Sequence, residues 1–98
     1  MVTSIMDFEW DAIKEVANLK KHGIPFVDSV ETFFDPKGFQ MVDRKHSSLE
    51  TRLYWVGKTR AGRVLTTWFA RRGKTIRIIG CAEWRKFRRL YDETTQDE

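Results

Sequence analysis

A single cysteine, Cys81, leaves no partner for an internal disulfide and fits a reducing compartment. No apolar run approaches the roughly 20 residues needed to span a bilayer, so no membrane role is expected. The opening "MVTSIMDFEW" has no basic region followed by an apolar stretch, and no signal peptide is expected. Repeats, linkers and low-complexity segments are missing. The 98 residues allow one core, so a single domain over 1–98 is expected, with a flexible acidic tail after about residue 92. There is no Cys-x-x-Cys, no G-x-G-x-x-G and no Walker loop, and the two histidines are far apart in sequence. Neither a metal nor a cofactor is therefore expected. Ser47 and Ser48 follow His46, but adjacency does not build a triad. Cys81, near a strand end, reads as a small apolar filler.

The second half is also poor in acid. From Arg44 to Arg89 there are fourteen Lys or Arg against two acids, Glu50 and Glu83, within a net charge of +4. That half is the anion-facing one if the protein binds a polyanion; the same charge also serves plain solubility.

What is present divides by period. "IMDFEW" reads as a short strand. Asp11 then caps a helix to about Lys21, with Trp10, Ile13, Val16, Ala17 and Leu19 on one apolar face and Lys14, Asn18 and Lys21 along its flank. Gly23 suits the left-handed position after a helix, and Pro25 a new start. "PFVDSVETFF" reads as a second short helix and "DPKG" as a turn. "FQMVD", "TRLYWVGK", "RVLTTWFA" and "TIRIIG" read as strands, the last three joined by the turns "TRAG" and "RRGK". Consecutive turns of a meander lie at opposite ends, so Arg60 and Arg63 should stand apart from Arg71, Arg72 and Lys74. "EWRKFRRLY" closes the chain as a helix with Trp84, Phe87 and Tyr91 as its apolar stripe. The expected fold is α+β, a small antiparallel meander with helices packed on one face.

Positive groups and two imidazoles remain to carry chemistry. They suit metal-free RNA cleavage, which needs a base for the 2′-hydroxyl, donors for the phosphorane charge and an acid for the leaving oxygen. They equally make a passive phosphate-binding surface, and composition does not separate the two. Each candidate also has a plain structural role. Lys20, Lys21 and His22 complement the helix C-terminus. His46 suits a solvated loop, and Arg77 a cross-strand carboxylate.

In order along the chain stand "FEWD" at 8–11, N-x-x-K-H-G at 18–23, an aromatic–Asp–Pro turn at 34–36 and D-x-x-H at 43–46. An arginine opening a strand, G-R-x-L at 62–65 and I-R-I-I at 76–79 follow. This ordered set resembles the BrnT toxin family over residues 8 to about 91. The resemblance implies a fold related to the RelE toxins and a bacterial, cytoplasmic, type II toxin that inhibits translation and growth by cutting RNA. It implies a BrnA-type ribbon-helix-helix antitoxin as partner, with operator DNA bound only through the complex. It also allows a homodimer through the surface the antitoxin covers. The matching positions are Asn18, Lys21, His22, His46, Arg52, Arg63 and Arg77, with Tyr91 near the end of the chain. His22, His46 and Arg77 are the catalytic candidates. Lys21, Arg52, Arg63, Arg85 and Tyr91 are the substrate-binding candidates. One departure stands out: the family continues I-R-I-I with S-A-R, whereas this chain has "GCAEWR". Ala82 occupies the expected arginine position, and Arg85 follows one helical turn later. The alternative function is a non-catalytic basic module that docks an acidic antitoxin or nucleic acid.

Overall fold

Asp11 starts the first helix as its short carboxylate predicts. In the computed structural model, which describes residues 7–96, Asp11 Oδ1 accepts from the N–H groups of Ile13 at 2.7 Å and Lys14 at 3.4 Å. Strand β1 (Asp7–Trp10) precedes it, and α1 runs Ala12–His22. Gly23 ends α1 at φ 70°, in the left-handed region that costs glycine least, and its N–H closes on Leu19 O. Helix α2 (Phe26–Thr32) begins after Pro25, and Glu15 of α1 accepts the N–H of Phe26 at 2.9 Å. There follow β2 (Phe39–Asp43), a single 3₁₀ turn (Arg44–His46), β3 (Arg52–Lys58), β4 (Val64–Arg72), β5 (Thr75–Ala82) and α3 (Arg85–Thr95). Among the described residues no helix is long and apolar enough to cross a membrane.

The five strands form one sheet in the order β1-β5-β4-β3-β2. β2 to β5 are the expected antiparallel meander, and its turns at Gly62 and Gly73 lie at opposite ends. The sheet is mixed rather than wholly antiparallel. β1 lies parallel to β5 on the outer edge, pairing Phe8 with Ile76 and Trp10 with Ile78. Residues 5 and 6 of the expected first strand lie outside the described residues.

Successive strand residues point to opposite faces, which sorts the core in two. Under α1 and α2 lie Leu53, Leu65, Phe69, Ile76, Ile78 and Cys81 with Ile24, Phe26 and Phe33. On the other face Val56 and Val64 pack with Tyr91 of α3, flanked by Phe39, Met41 and Phe87. The helices thus occupy both faces, not one as expected. The meander sends Tyr54, Val56, Val64 and Trp68 to the second face, and that apolar surface needs its own cover. α3 continues to Thr95, so the first part of the acidic tail is helical.

The apolar face assigned to α1 is also corrected. Ile13 and Val16 are 79% and 52% exposed, and the buried residue of α1 is Asn18. Asn18 Oδ1 accepts from Cys81 N at 3.1 Å and its Nδ2 donates to Ile24 O at 3.2 Å. The carboxamide thus satisfies backbone groups that burial would otherwise leave unpaired, and it fastens α1 to β5.

Candidate functional site

The registers of the four strand pairs compose into rows across the sheet. Asp43 pairs with Arg52, Arg52 with Ala70, Ala70 with Arg77, and Arg77 with Glu9. Directly opposite residues share a face, so these five form one charged row on the side that carries α3. Met41, Tyr54, Trp68 and Gly80 make the adjacent row. α3 begins beside Trp68 and runs toward the Val56–Val64 end, so it leaves the charged row open.

Ala70, fully buried, is the one small residue between Arg52 and Arg77, so no bulky neighbour holds their side chains apart. At one end of the row His46 meets Asp43. Its Nδ1 lies 2.9 and 3.2 Å from the two carboxylate oxygens. A carboxylate only accepts, so Nδ1 carries the hydrogen, and in the neutral ring Nε2 is the acceptor. The Asp43 side chain is 7% exposed and that of His46 52%. The imidazole is held from behind and open in front. Tyr54 lies close to Asp43, and its phenol pKa is raised by burial first and then by Asp43.

At the other end Arg77 Nη1 donates to Glu9 Oε2 at 2.8 Å, the cross-strand pairing open to a strand arginine. Arg72 Nη1 stands 3.9 Å from the same oxygen, and its Nε donates to Glu50 at 3.1 Å.

The aromatic row supplies a platform. Trp68 and Trp84 stack at 5.0 Å and 8° between planes, and Tyr54 meets Trp84 edge-on at 5.9 Å. Gly80 permits this: a Cβ there would lie 2.3 Å from the Trp68 ring. His22 reaches the same platform from α1, its ring edge-on to Trp68 at 6.1 Å. With Lys14, Lys21 and Ile79 it lines a shallow hollow of about 210 Å³. Burial, then the Lys21 charge, holds the His22 pKa below its ordinary 6.5, so the ring is neutral at pH 7.

The sequence candidates therefore divide. Arg52 and Arg77 lie in the charged row, and His46 meets its Asp43 end. Lys21 and His22 flank the neighbouring aromatic row. Arg85 is exposed on the first turn of α3, next to Trp84. Arg63 lies at the far end of β4, where Nη2 bonds Glu83 at 2.8 Å. Tyr91 is 2% exposed, with its hydroxyl donated to Asp35 and the Lys58 ammonium over its ring. Neither Arg63 nor Tyr91 joins the row: the meander separates the ends of β4, and the apolar stripe of α3 draws the Tyr91 ring inward. Cys81 is a buried filler, with its thiol pKa pushed up by burial.

Sequence reasoning passed over Glu9, Glu50, Arg72, Tyr54 and the Trp68–Trp84 stack. Alternation along β3 and β4 carried a signal, since Arg52 and Tyr54, and Trp68 and Ala70, are two apart. Only the register joins them across strands. Among the described residues no three His, Cys, Asp or Glu side chains gather to hold a metal ion.

Comparison with known proteins gives two findings. The sequence profile described as "Ribonuclease toxin, BrnT, of type II toxin-antitoxin system" matches residues 10–87. The chain is also similar in structure to the crystal structure of the Brucella abortus ribonuclease toxin, BrnT. There the TM-score is 0.61 at 23% identity over 82% of this chain and 97% of that one, which shows the shared fold. A search of curated proteins gave no match.

Proposed function

Since the chain belongs to the BrnT family of ribonuclease toxins of type II toxin–antitoxin systems, we propose that it cuts RNA along its charged row without a metal ion. His46 Nε2 takes the proton of the 2′-hydroxyl while Asp43 holds the opposite nitrogen and stabilises the imidazolium that forms. The 2′-oxygen bonds to the adjacent phosphorus, and the 5′-oxygen departs and takes a proton from water. Arg52 and Arg77 hold the phosphate and the charge that builds on it. Trp84 and Tyr54 offer faces on which a flanking base stacks, and Lys21 and neutral His22 extend the contact along the strand. Arg85, the first residue of α3, reaches the same RNA in place of the arginine missing at position 82.

The observation that carries this reading is the His46–Asp43 pair in register with two arginines on an open sheet face. The assay is labelled RNA with purified protein in EDTA. Cleavage should persist there and be lost with His46→Ala. Intact RNA in EDTA with cleavage in magnesium would refute the metal-free mechanism. In the cell the protein acts in the bacterial cytoplasm, slows translation and growth, and is neutralised by an antitoxin of the BrnA type. Operator DNA is met only through that complex.

A second reading rests on one observation, that Arg77 and Arg72 already have carboxylate partners. In it the face is a passive dock for an acidic antitoxin or nucleic acid. Expression of the chain alone separates the two. Growth arrest abolished by Arg77→Ala at equal soluble yield supports the enzyme, and no arrest in either case supports the dock.

A further inference from the structure

One carboxylate, Glu50, bonds an arginine of β4 and feels the charge of two more, from β3 and β5. Arg72 of β4 donates its Nε to Glu50 Oε2 at 3.1 Å. The Arg72 hydrogen bond, with the charges of Arg72, Arg77 and Arg52, outweighs desolvation and holds the Glu50 carboxyl below the usual carboxylate range. Glu50 does not belong to the sheet. It stands in the loop between Ser47 and Arg52.

Apart from the Glu50–Arg72 bond, that loop is fastened at its base. Ser47 Oγ donates to Asp43 O at 2.6 Å and accepts the N–H of Arg52 at 2.9 Å. Residues 48–51 are all exposed, and Leu49 is 100% so, leaving the tip with no apolar anchor. Glu9 is the contrast. It also faces Arg77 and Arg72, but β1 fixes its backbone against β5. Glu50 can leave the cluster by movement of an exposed loop, whereas Glu9 is carried on a paired strand.

We propose that Arg52, Arg72 and Arg77 form a phosphodiester site in which Glu50 is the resident anion, displaced by the incoming phosphate. The charges balance. Three arginines with Glu9 and Glu50 carry +1. With Glu50 swung out and one phosphodiester bound, the cluster again carries +1. Carboxylate and phosphate both take the guanidinium fork, so the exchange keeps the donors satisfied. Arg72 thereby joins the two arginines already assigned, and the loop becomes a gate that only an anion opens. This inference deepens the RNA reading and rests on it for the identity of the ligand.

The test uses a fluorescent 2′-O-methyl RNA oligonucleotide, which offers no 2′-hydroxyl and so reports binding without cleavage. Affinity is compared by anisotropy at one salt concentration for wild type, Glu50→Gln and Glu83→Gln. The last removes the same charge from the Arg63 pair at the far end of β4. Glu50→Gln should bind about fivefold tighter than wild type and Glu83→Gln within about twofold of it, because only the first removes a competitor from the arginines. In the Arg72→Ala background the gain from Glu50→Gln should shrink, which a double-mutant cycle reads directly. Equal affinities for Glu50→Gln and Glu83→Gln, or weaker binding by Glu50→Gln, would overturn the proposal. A gain in binding from a protein that leaves ordinary RNA intact would keep the gate and remove the ribonuclease reading. Cleavage of RNA with no gain from Glu50→Gln would do the reverse.

Discussion

The two faces of the sheet are built on different terms. Under α1 and α2 the face is sealed: Phe26, Phe69 and Ile76 have no exposure, and Ile24 and Ile78 have 1%. Under α3 the face is sealed over only half its length. Val56, Val64 and Tyr91 are covered, while no helix covers the row from Asp43 to Glu9, where Arg52, Arg77 and Glu9 stay half-exposed. The difference separates stability from chemistry. Substitutions in the first face should unfold the protein, and substitutions in the open half of the second should silence it while it stays folded.

The largest effect expected is on the sealed face. Phe69→Ala removes a ring from a packed site and should cost about 3–5 kcal/mol of stability, measured by denaturant titration. A loss under about 1 kcal/mol would mean this face is not the one that holds the fold. On the open half, His46→Ala should lower the cleavage rate by about 10²–10⁴ with little change in the unfolding midpoint, and Asp43→Asn by less. Arg77→Ala should lower it by about 10². If any of these three substitutions moved stability more than rate, the separation between the faces would fail.

Tyr91→Phe probes the covered half of the second face. Burial disfavours the Asp35 carboxylate, but hydrogen bonds from Tyr91 and from the N–H groups of Lys37 and Lys58 outweigh it, and its pKa lies below the ordinary 3.8. The substitution should cost about 1.5–3 kcal/mol at pH 7. A depressed carboxylate adds stability that is complete above its unfolded pKa and is lost as pH falls through the folded value. The gap between wild type and Tyr91→Phe should therefore close in acid, below about pH 4. A gap that widened there would reject the assignment.

The smallest effect is at His22. Its lowered pKa means that the unfolded chain takes a proton first as pH falls through 6.5, and folded stability declines there. Lys21→Ala removes one cause and should raise the His22 pKa, as read by NMR titration of the ring. A fall would show that the Lys21 charge is not felt at the ring.

Much of the fold was readable because its signals are local. Asp11 and Gly23 bound α1 at the places their chemistry demands, and the turns at Gly62 and Gly73 set the meander. The second face was not readable. Tyr54 and Trp68 mark an apolar outer surface, but which helix covers it depends on the path of the chain after β5. On α1 the apolar pattern pointed the wrong way, because a single buried carboxamide, Asn18, outweighs the exposed stripe of Ile13 and Val16. Of the candidate site, His46, Arg52 and Arg77 are legible as single residues, partly through family resemblance. Their shared row was not found, since it depends on the registers of four strand pairs. Glu9 and Arg77 are 68 positions apart, and no local pattern ties them.

That separation bears on how the protein comes into being at the ribosome. β1 is made first but has no neighbour until β5 emerges, so the sheet stays unfinished until synthesis has passed Arg77. Contacts this distant in sequence slow folding and delay its commitment. A nascent chain stopped before that point would hold its histidines and early arginines without the arrangement that gives them purpose. The last strand made is the one that arms the molecule.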